Sequence, residues 1–400
     1  MSSLLPVAEA LERVLARAAP APPVLELPLI DALGAVLAED VLSAVDVPGE
    51  DNSAMDGYAL RIADAVRPLP VSQRIAAGAV GAPLQAGTCA RIFTGAAIPP
   101  GADAVVMQEN CSLEGELVRV TVVPIPGENI RPRGQDIAAN TTVLPRGRVL
   151  RPQDMGLLAS VGRARVPVYR PLRVAVLSTG DELVEPGAGS LGRGQLYNSN
   201  RYTLAGLLRS LGMTFVDAGI VPDDPEATAR ALASAAAAAD CVISSGGVSM
   251  GEEDHVKAQV QRLGSLDLWR LAIKPGKPLA FGRIGATPFI GLPGNPSSVF
   301  VTFCLVARPF LRKMQGISEP DPPPVQARAA FAVHRPGTRQ EYLRVTLVAA
   351  GQGLEARRFG NQSSGVLSSV SHSNALAVIP PGTTVAEGDS VQVLLLDLLA

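Results

Sequence analysis

The stretch at residues 240–257, D-C-V-I-S-S-G-G-V-S-M-G-E-E-D-H-V-K, decides how the rest of the chain is read. Cys241, Val242 and Ile243 form a short apolar run that predicts a buried strand. Residues 252–263 then carry helical spacing, with Val256, Val260 and Leu263 on one face. Two serines and a glycine pair stand between them. A strand that breaks through a glycine-rich turn into a helix leaves backbone N–H groups without partners at the helix N-terminus. Those donors and the helix dipole both favour negative charge. Glu252, Glu253 and Asp254 follow at once, acids suited to hold a divalent cation against such an anion. The segment therefore reads as the floor of an anionic-ligand site.

Working outward, residues 172–314 repeat a strand–helix pattern. The strand over 173–177 ends in Ser178-Thr179-Gly180-Asp181-Glu182. A strand over 215–221 leads to Asp223-Asp224-Pro225 and an alanine-rich helix. Strands near 268–273, 279–282 and 288–291 precede the turn Leu292-Pro293-Gly294-Asn295-Pro296-Ser297-Ser298, where Asn at the cap and Pro at the first helical position start another helix. Alternation of this kind predicts a doubly wound parallel sheet covered on both faces, with ligands outside the carboxyl ends of its strands. All four motifs fall at such ends.

Three further parts are expected. Residues 1–46, together with 141–170, read as a helical and extended region, with helices near the N-terminus and over 31–41. Residues 47–140 read as an inserted all-β module of short strands between glycine and proline turns. After a proline linker at 319–324, residues to 400 form a C-terminal β domain of barrel-like character, leaving 171–318 as the α/β domain.

Composition sets limits. With 400 residues, 47% hydrophobic and 18% charged, the chain has the makeup of a soluble multidomain protein. A net charge of −2 offers no footprint for nucleic acid or an acidic membrane surface. The four cysteines have no C-x-x-C spacing, so neither zinc nor a disulfide framework is indicated. An amphipathic N-terminus and no long apolar run predict a cytoplasmic protein. Of 35 basic residues only four are lysine, and two of these, Lys274 and Lys277, sit in I-K-P-G-K-P. A compact ammonium suits a point-charge contact to an oxyanion.

Two motifs need weighing. Gly187 to Gly192 matches G-x-G-x-x-G but opens no helix, so the dinucleotide context is missing. Gly247-Val248-Ser249-Met250-Gly251 matches the G-x-S-x-G elbow of serine hydrolases in the required strand-to-helix context. A triad would need a downstream histidine, and only His334 and His372 are available, both beyond the α/β region. A nucleophilic Ser249 is kept as an alternative.

The segments N-S-A-M-D-G-Y-A (52–59), R-I-F-T-G (91–95), S-T-G-D-E-L (178–183), S-S-G-G-V-S-M-G (244–251), I-K-P-G-K-P (273–278) and G-L-P-G-N-P-S-S (291–298), in this order, resemble the MoeA family of molybdopterin molybdenumtransferases, to which the E domain of gephyrin is related. The resemblance implies an elongated homodimer with active sites between the α/β domain of one subunit and the β module of the other. The implied reaction takes adenylylated molybdopterin and molybdate, with Mg²⁺, to molybdenum cofactor and AMP. Asp56, Thr94 and Asp136 would close the site from the partner. Gly246, Gly247 and Ser249 would line the pterin–phosphate pocket, and Ser178, Thr179, Gly180, Pro293, Asn295 and Pro296 would also bind substrate. Glu182, Asp224 and Asp254 are candidates for Mg²⁺ and water positioning. Molybdate would suit Lys274, Lys277, the helix start at Ser297 and Ser298, and Arg344 and Ser364 from the last domain. Gln135 stands where many relatives have an acid, and His255 where many have an aromatic ring. The S-G-G-V-S loop is shared with molybdopterin adenylyltransferases, a second alternative.

Overall fold

The computed structural model describes residues 4–18, 21–248, 255–319, 321–351 and 353–399. Its organising element is a six-stranded sheet in the order Thr214–Val221, Arg173–Thr179, Cys241–Ser245, Thr287–Leu292, Pro278–Ile284, Gly264–Arg270. The first four strands are parallel, and the last two extend the sheet as an antiparallel meander. Both faces are covered, as the unbroken apolar runs require. Val174, Val176, Cys241 and Ile243 point into one core, shared with the helix Ser199–Ser210 and the segment from Pro296 to Met314. Ala175, Leu177 and Val242 point into the other, under Pro225–Ala238 and His255–Leu263. The period-two alternation of a strand thus divides one apolar run between two helix layers.

Register brings the strand ends into line. Thr179 pairs with Val221, Ser178 with Ser245, and Ser245 with Leu292, so all four parallel strands stop at one rim. Local chemistry starts the helices beyond them. Asn198 accepts a hydrogen bond from the Arg201 backbone N–H, and Asp224 accepts one from Ala227 with Pro225 at the first helical position. The helix Pro296–Thr302 runs on through a π-helical turn, Phe303–Ala307, into Arg308–Met314.

The β module is a six-stranded sheet of its own, with Gly57–Leu60 between Ala104–Met107 and Cys89–Ile92. Gly57 is required there: a Cβ would lie 2.0 Å from the Val106 carbonyl oxygen. The C-terminal domain closes into a barrel, because Gln340–Ala350 pairs with both Gly353–Arg358 and Ala375–Ile379.

The first region departs from expectation. No helix forms over 31–41; a 3-10 turn, Leu29–Asp31, is followed by the short strands Val36–Leu37 and Val41–Leu42. Leu33, Val36 and Leu37 have helical spacing, but Gly34 at φ +76° turns the chain, and Val36–Leu37 joins Arg165–Tyr169 and Val24–Pro28 in a sheet. The N-terminal helix Val7–Leu15 does form, yet it buries Ala10 and Val14 in the α/β core rather than against residues 24–42. No helix among the described residues is long and apolar enough to cross a membrane.

Candidate active site

A cavity of about 950 Å³ opens at the carboxyl rim of the α/β sheet. Thr179, Gly180 and Glu182 enter it from the first strand, Asp223 from the second, and Ser245, Gly246, Gly247 and Val248 from the third. Lys274, Pro275, Gly276 and Lys277 form another wall, and Pro293, Gly294, Asn295, Pro296 and Ser298 a further one. The last side comes from the barrel: Arg339 and the turn Gln362, Ser363, Ser364 and Gly365. This constellation, loops from four parallel strand ends facing one turn of a second domain, collects most of the residues expected from sequence.

The glycine pair is held by backbone conformation. Gly246 and Gly247 adopt φ +90° and +68°, a region open chiefly to glycine. A Cβ on Gly247 would lie 2.4 Å from Cγ2 of Val256 and 3.0 Å from Oγ1 of Thr179. Beneath the loop, Ser178 is buried, its hydroxyl 3.3 Å from Ser245 Oγ and 3.4 Å from Asn198 Oδ1. Ser178 therefore supports the floor instead of facing the cavity. Asn200 donates to the Gly294 carbonyl at 2.7 Å and ties two walls together.

Charge is arranged in layers. Lys274 Nζ lies 3.1 Å from Glu341. Lys277 is exposed and has no carboxylate partner among the described residues. Behind the barrel turn, Arg344 is only 1% exposed. Its guanidinium donates to Ser369 Oγ at 3.1 Å, the Tyr342 carbonyl at 3.2 Å and the Ser363 carbonyl at 3.3 Å, all neutral oxygens. Burial pushes its pKa down to about 10, against the opposing charge of Glu341. A buried cation held only by neutral acceptors is electrostatically incomplete.

Several expected residues sit elsewhere. Ser297 is fully buried; its hydroxyl donates to the Val366 carbonyl at 2.8 Å and its backbone N–H to Ser364. It anchors the barrel turn and does not line the cavity. Asp224 spends one carboxylate oxygen on its helix cap at 2.6 Å, and its neighbour Asp223 is the residue that reaches the cavity. Ser249 and Asp254 lie outside the described residues. Asp56, Thr94 and Asp136 are in the β module and line no part of this chain's own cavity. Asp56 Oδ1 accepts from both the backbone N–H and the hydroxyl of Thr94, each at 2.8 Å. These bonds, the backbone one foremost, hold its carboxyl below the usual range. Sequence reasoning passed over Arg339, Asn200 and Asp223 as site residues, and weighed the polar turn that holds Gln362 as more ordinary than functional. Asp223, beside a capping Asp-Pro, and Gln362, in the polar turn Asn361-Gln362-Ser363-Ser364-Gly365, carried a readable signal.

No histidine lines the cavity, and His372 instead contacts the Ser368 carbonyl and packs near Phe359. A serine-hydrolase reading lacks its base among the described residues.

The class these features define is a multidomain protein built on a molybdopterin-binding α/β domain. Family models described as the MoeA N-terminal region (domain I and II), a probable molybdopterin binding domain and the MoeA C-terminal region (domain IV) match residues 5–162, 175–313 and 326–396. A molybdopterin molybdenumtransferase of Haemophilus influenzae is 41% identical over 360 residues, covering 88% of this chain and 89% of that one. Gephyrin of Dictyostelium discoideum is 34% identical, over 87% of this chain and 56% of its own length. A solved MoeA structure from Pyrococcus horikoshii superposes with TM-score 0.85 at 30% identity, covering 98% of this chain and all (100%) of that one. The chain belongs to the MoeA family of molybdopterin molybdenumtransferases.

Proposed function

We propose that this chain inserts molybdate into adenylylated molybdopterin and releases AMP, giving molybdenum cofactor. The observation that carries the reading is the convergence of the four strand-end loops and the Gln362 to Gly365 turn on one cavity with cations on two sides. A pterin nucleotide brings phosphates, a fused ring and a dithiolene, and a glycine-lined floor lets its backbone donors approach an anion closely. Lys277 and Arg339 would neutralise anionic charge at the wall, and Arg344 would add its field from behind Ser363 and Ser364. Ser298, Ser364, Lys274 and Lys277 are the groups best placed for the tetrahedral molybdate.

Mg²⁺ fits the remaining acids. Among the described residues no cluster of three or more potential ligands exists, but magnesium at phosphate sites commonly uses one or two carboxylates and takes the rest from phosphate and water. Glu182 and Asp223 would hold it; Asp224, committed to its cap, has one oxygen left. When bound, the ion would offset charge on the phosphoanhydride. The chain would act as a homodimer, with Asp56, Thr94 and Asp136 of a second copy closing the cavity.

The test is AMP release from adenylylated molybdopterin by purified protein. The rate should require molybdate and Mg²⁺, and Glu182→Gln and Asp56→Asn should each lower kcat by roughly a hundredfold. Release independent of molybdate would remove the insertion reaction. Unchanged rates in both variants would remove the residue assignment.

A further inference from the structure

We infer that Arg91 is the positioning residue of the Asp56–Thr94 pair, clasping both so that the carboxylate is presented in one orientation; the inference rests on the role proposed for Asp56 above. Strand pairing puts Arg91 where it can do this. Cys89–Ile92 runs antiparallel to Gly57–Leu60, with Arg91 opposite Tyr58 and Ile92 opposite Gly57. Nη1 of Arg91 donates at 3.0 Å to the carbonyl of Gly57, the residue directly after Asp56, and Nη2 donates to Gln108 Oε1 at 2.6 Å. The Gln108 backbone N–H in turn donates to the Asp56 carbonyl at 3.1 Å. The same guanidinium lies 4.7 Å from the centre of the Phe93 ring and 5.2 Å from that of Tyr58. Phe93 directly precedes Thr94, whose N–H and hydroxyl hold Asp56 Oδ1. One side chain therefore grips the residue after the acid and the residue before its partner.

Stability of the β module alone does not account for this arrangement. Arg74, on the neighbouring strand Leu69–Ile75, pairs with Arg91 in register and lies 4.5 Å from the same Phe93 ring. Like charges directly across a sheet repel, and ring contacts by exposed cations are weak compensation. Both hydrogen-bond acceptors of Arg91 are neutral oxygens, so its positive charge is not cancelled there and acts on Asp56. After the two Thr94 bonds, and against some desolvation, that charge adds to holding the Asp56 carboxyl below the usual range.

The experiment follows AMP release together with amide hydrogen exchange at Thr94 in the full chain. Arg91→Gln should lower kcat roughly tenfold with the KM for molybdate unchanged. Placed in the Asp56→Asn chain, it should cause no further loss, because the group it positions is already gone. Exchange of the Thr94 N–H should quicken roughly tenfold in Arg91→Gln, since its acceptor is no longer held. Arg91→Lys should stay within about twofold of Arg91→Gln, because an ammonium lacks the fork that spans both acceptors. Gln108→Ala removes one acceptor and should give the same pattern in weaker form; if Arg91→Gln does not fold, this variant decides the question. Equal losses in the wild-type and Asp56→Asn chains, unaltered Thr94 exchange, or full recovery by lysine would overturn the inference. Faster Thr94 exchange, with AMP release indifferent to both Arg91→Gln and Asp56→Asn, would instead remove the catalytic role proposed for Asp56 and leave Arg91 as the residue that positions the pair.

Discussion

At single-residue scale the proposed anion site leans on Arg344. A guanidinium this deeply buried costs desolvation energy that three neutral acceptors return only in part. Arg344→Gln is therefore expected to leave the ligand-free melting temperature nearly unchanged while abolishing stabilisation by molybdate. In the wild type that stabilisation should reach about 2.7 kcal/mol at a hundred times Kd. Thermal melts with and without molybdate decide it, and an equal shift in the variant would show that Arg344 plays no part. Asp56 carries a definite pH sign. Its carboxyl is held below the usual range by the Thr94 N–H and hydroxyl. Its contribution is therefore complete above the ordinary carboxylate value near ~4 and is lost only as pH falls through the lower folded value. Loss of activity between pH 7 and 5 should accordingly be the same in wild type and in Asp56→Asn.

The loops at the rim are the elements on which the proposed chemistry depends, and Gly247 is one of their tightly constrained positions. With φ +68° and Val256 Cγ2 2.4 Å from any added Cβ, Gly247→Ala should cost about 1–3 kcal/mol and displace the loop from the cavity. Urea unfolding combined with AMP release should show both losses; a variant with full activity would mean that the loop is not part of the floor. These loops were legible in sequence because each announces itself: serine and glycine after an apolar run, Asp-Pro before a helix, Asn-Pro at another. The same signals misled where two patterns coincide. Leu33, Val36 and Leu37 fit helical spacing as well as the short strand they enter, and only the turn at Gly34 separates the cases. Asp-Asp-Pro was read as supplying Asp224, although a residue directly before an N1 proline is the natural cap, which leaves Asp223 for the cavity. Arg339 had no local signature, and the polar turn around Gln362 had one that did not say what it faces, since both reach the site only through closure of a barrel far along the chain.

At the scale of the molecule, ion pairs join the parts. Arg148 bridges Asp154 and Glu319, each at 2.8 Å, and Arg170 binds Asp240 at 3.0 Å at the entrance to the decisive strand. The acids of the β module remain away from their own chain's cavity, and the proposed homodimer would supply them from the second copy. Co-refolding Asp56→Asn with Lys277→Ala then creates one intact site in each mixed dimer. AMP release should recover to about one quarter of wild type in a statistical mixture of two inactive chains, half of whose dimers are mixed. No recovery would place both residues in the same subunit's site or in none. The central claim, that the rim cavity receives molybdate beside the pterin nucleotide, is tested most directly by anomalous diffraction at the molybdenum edge from crystals soaked in molybdate. A peak is expected in the large cavity between Lys277 and the turn at Ser363 and Ser364. A molybdenum-free cavity, under conditions where molybdate supports AMP release, would contradict it.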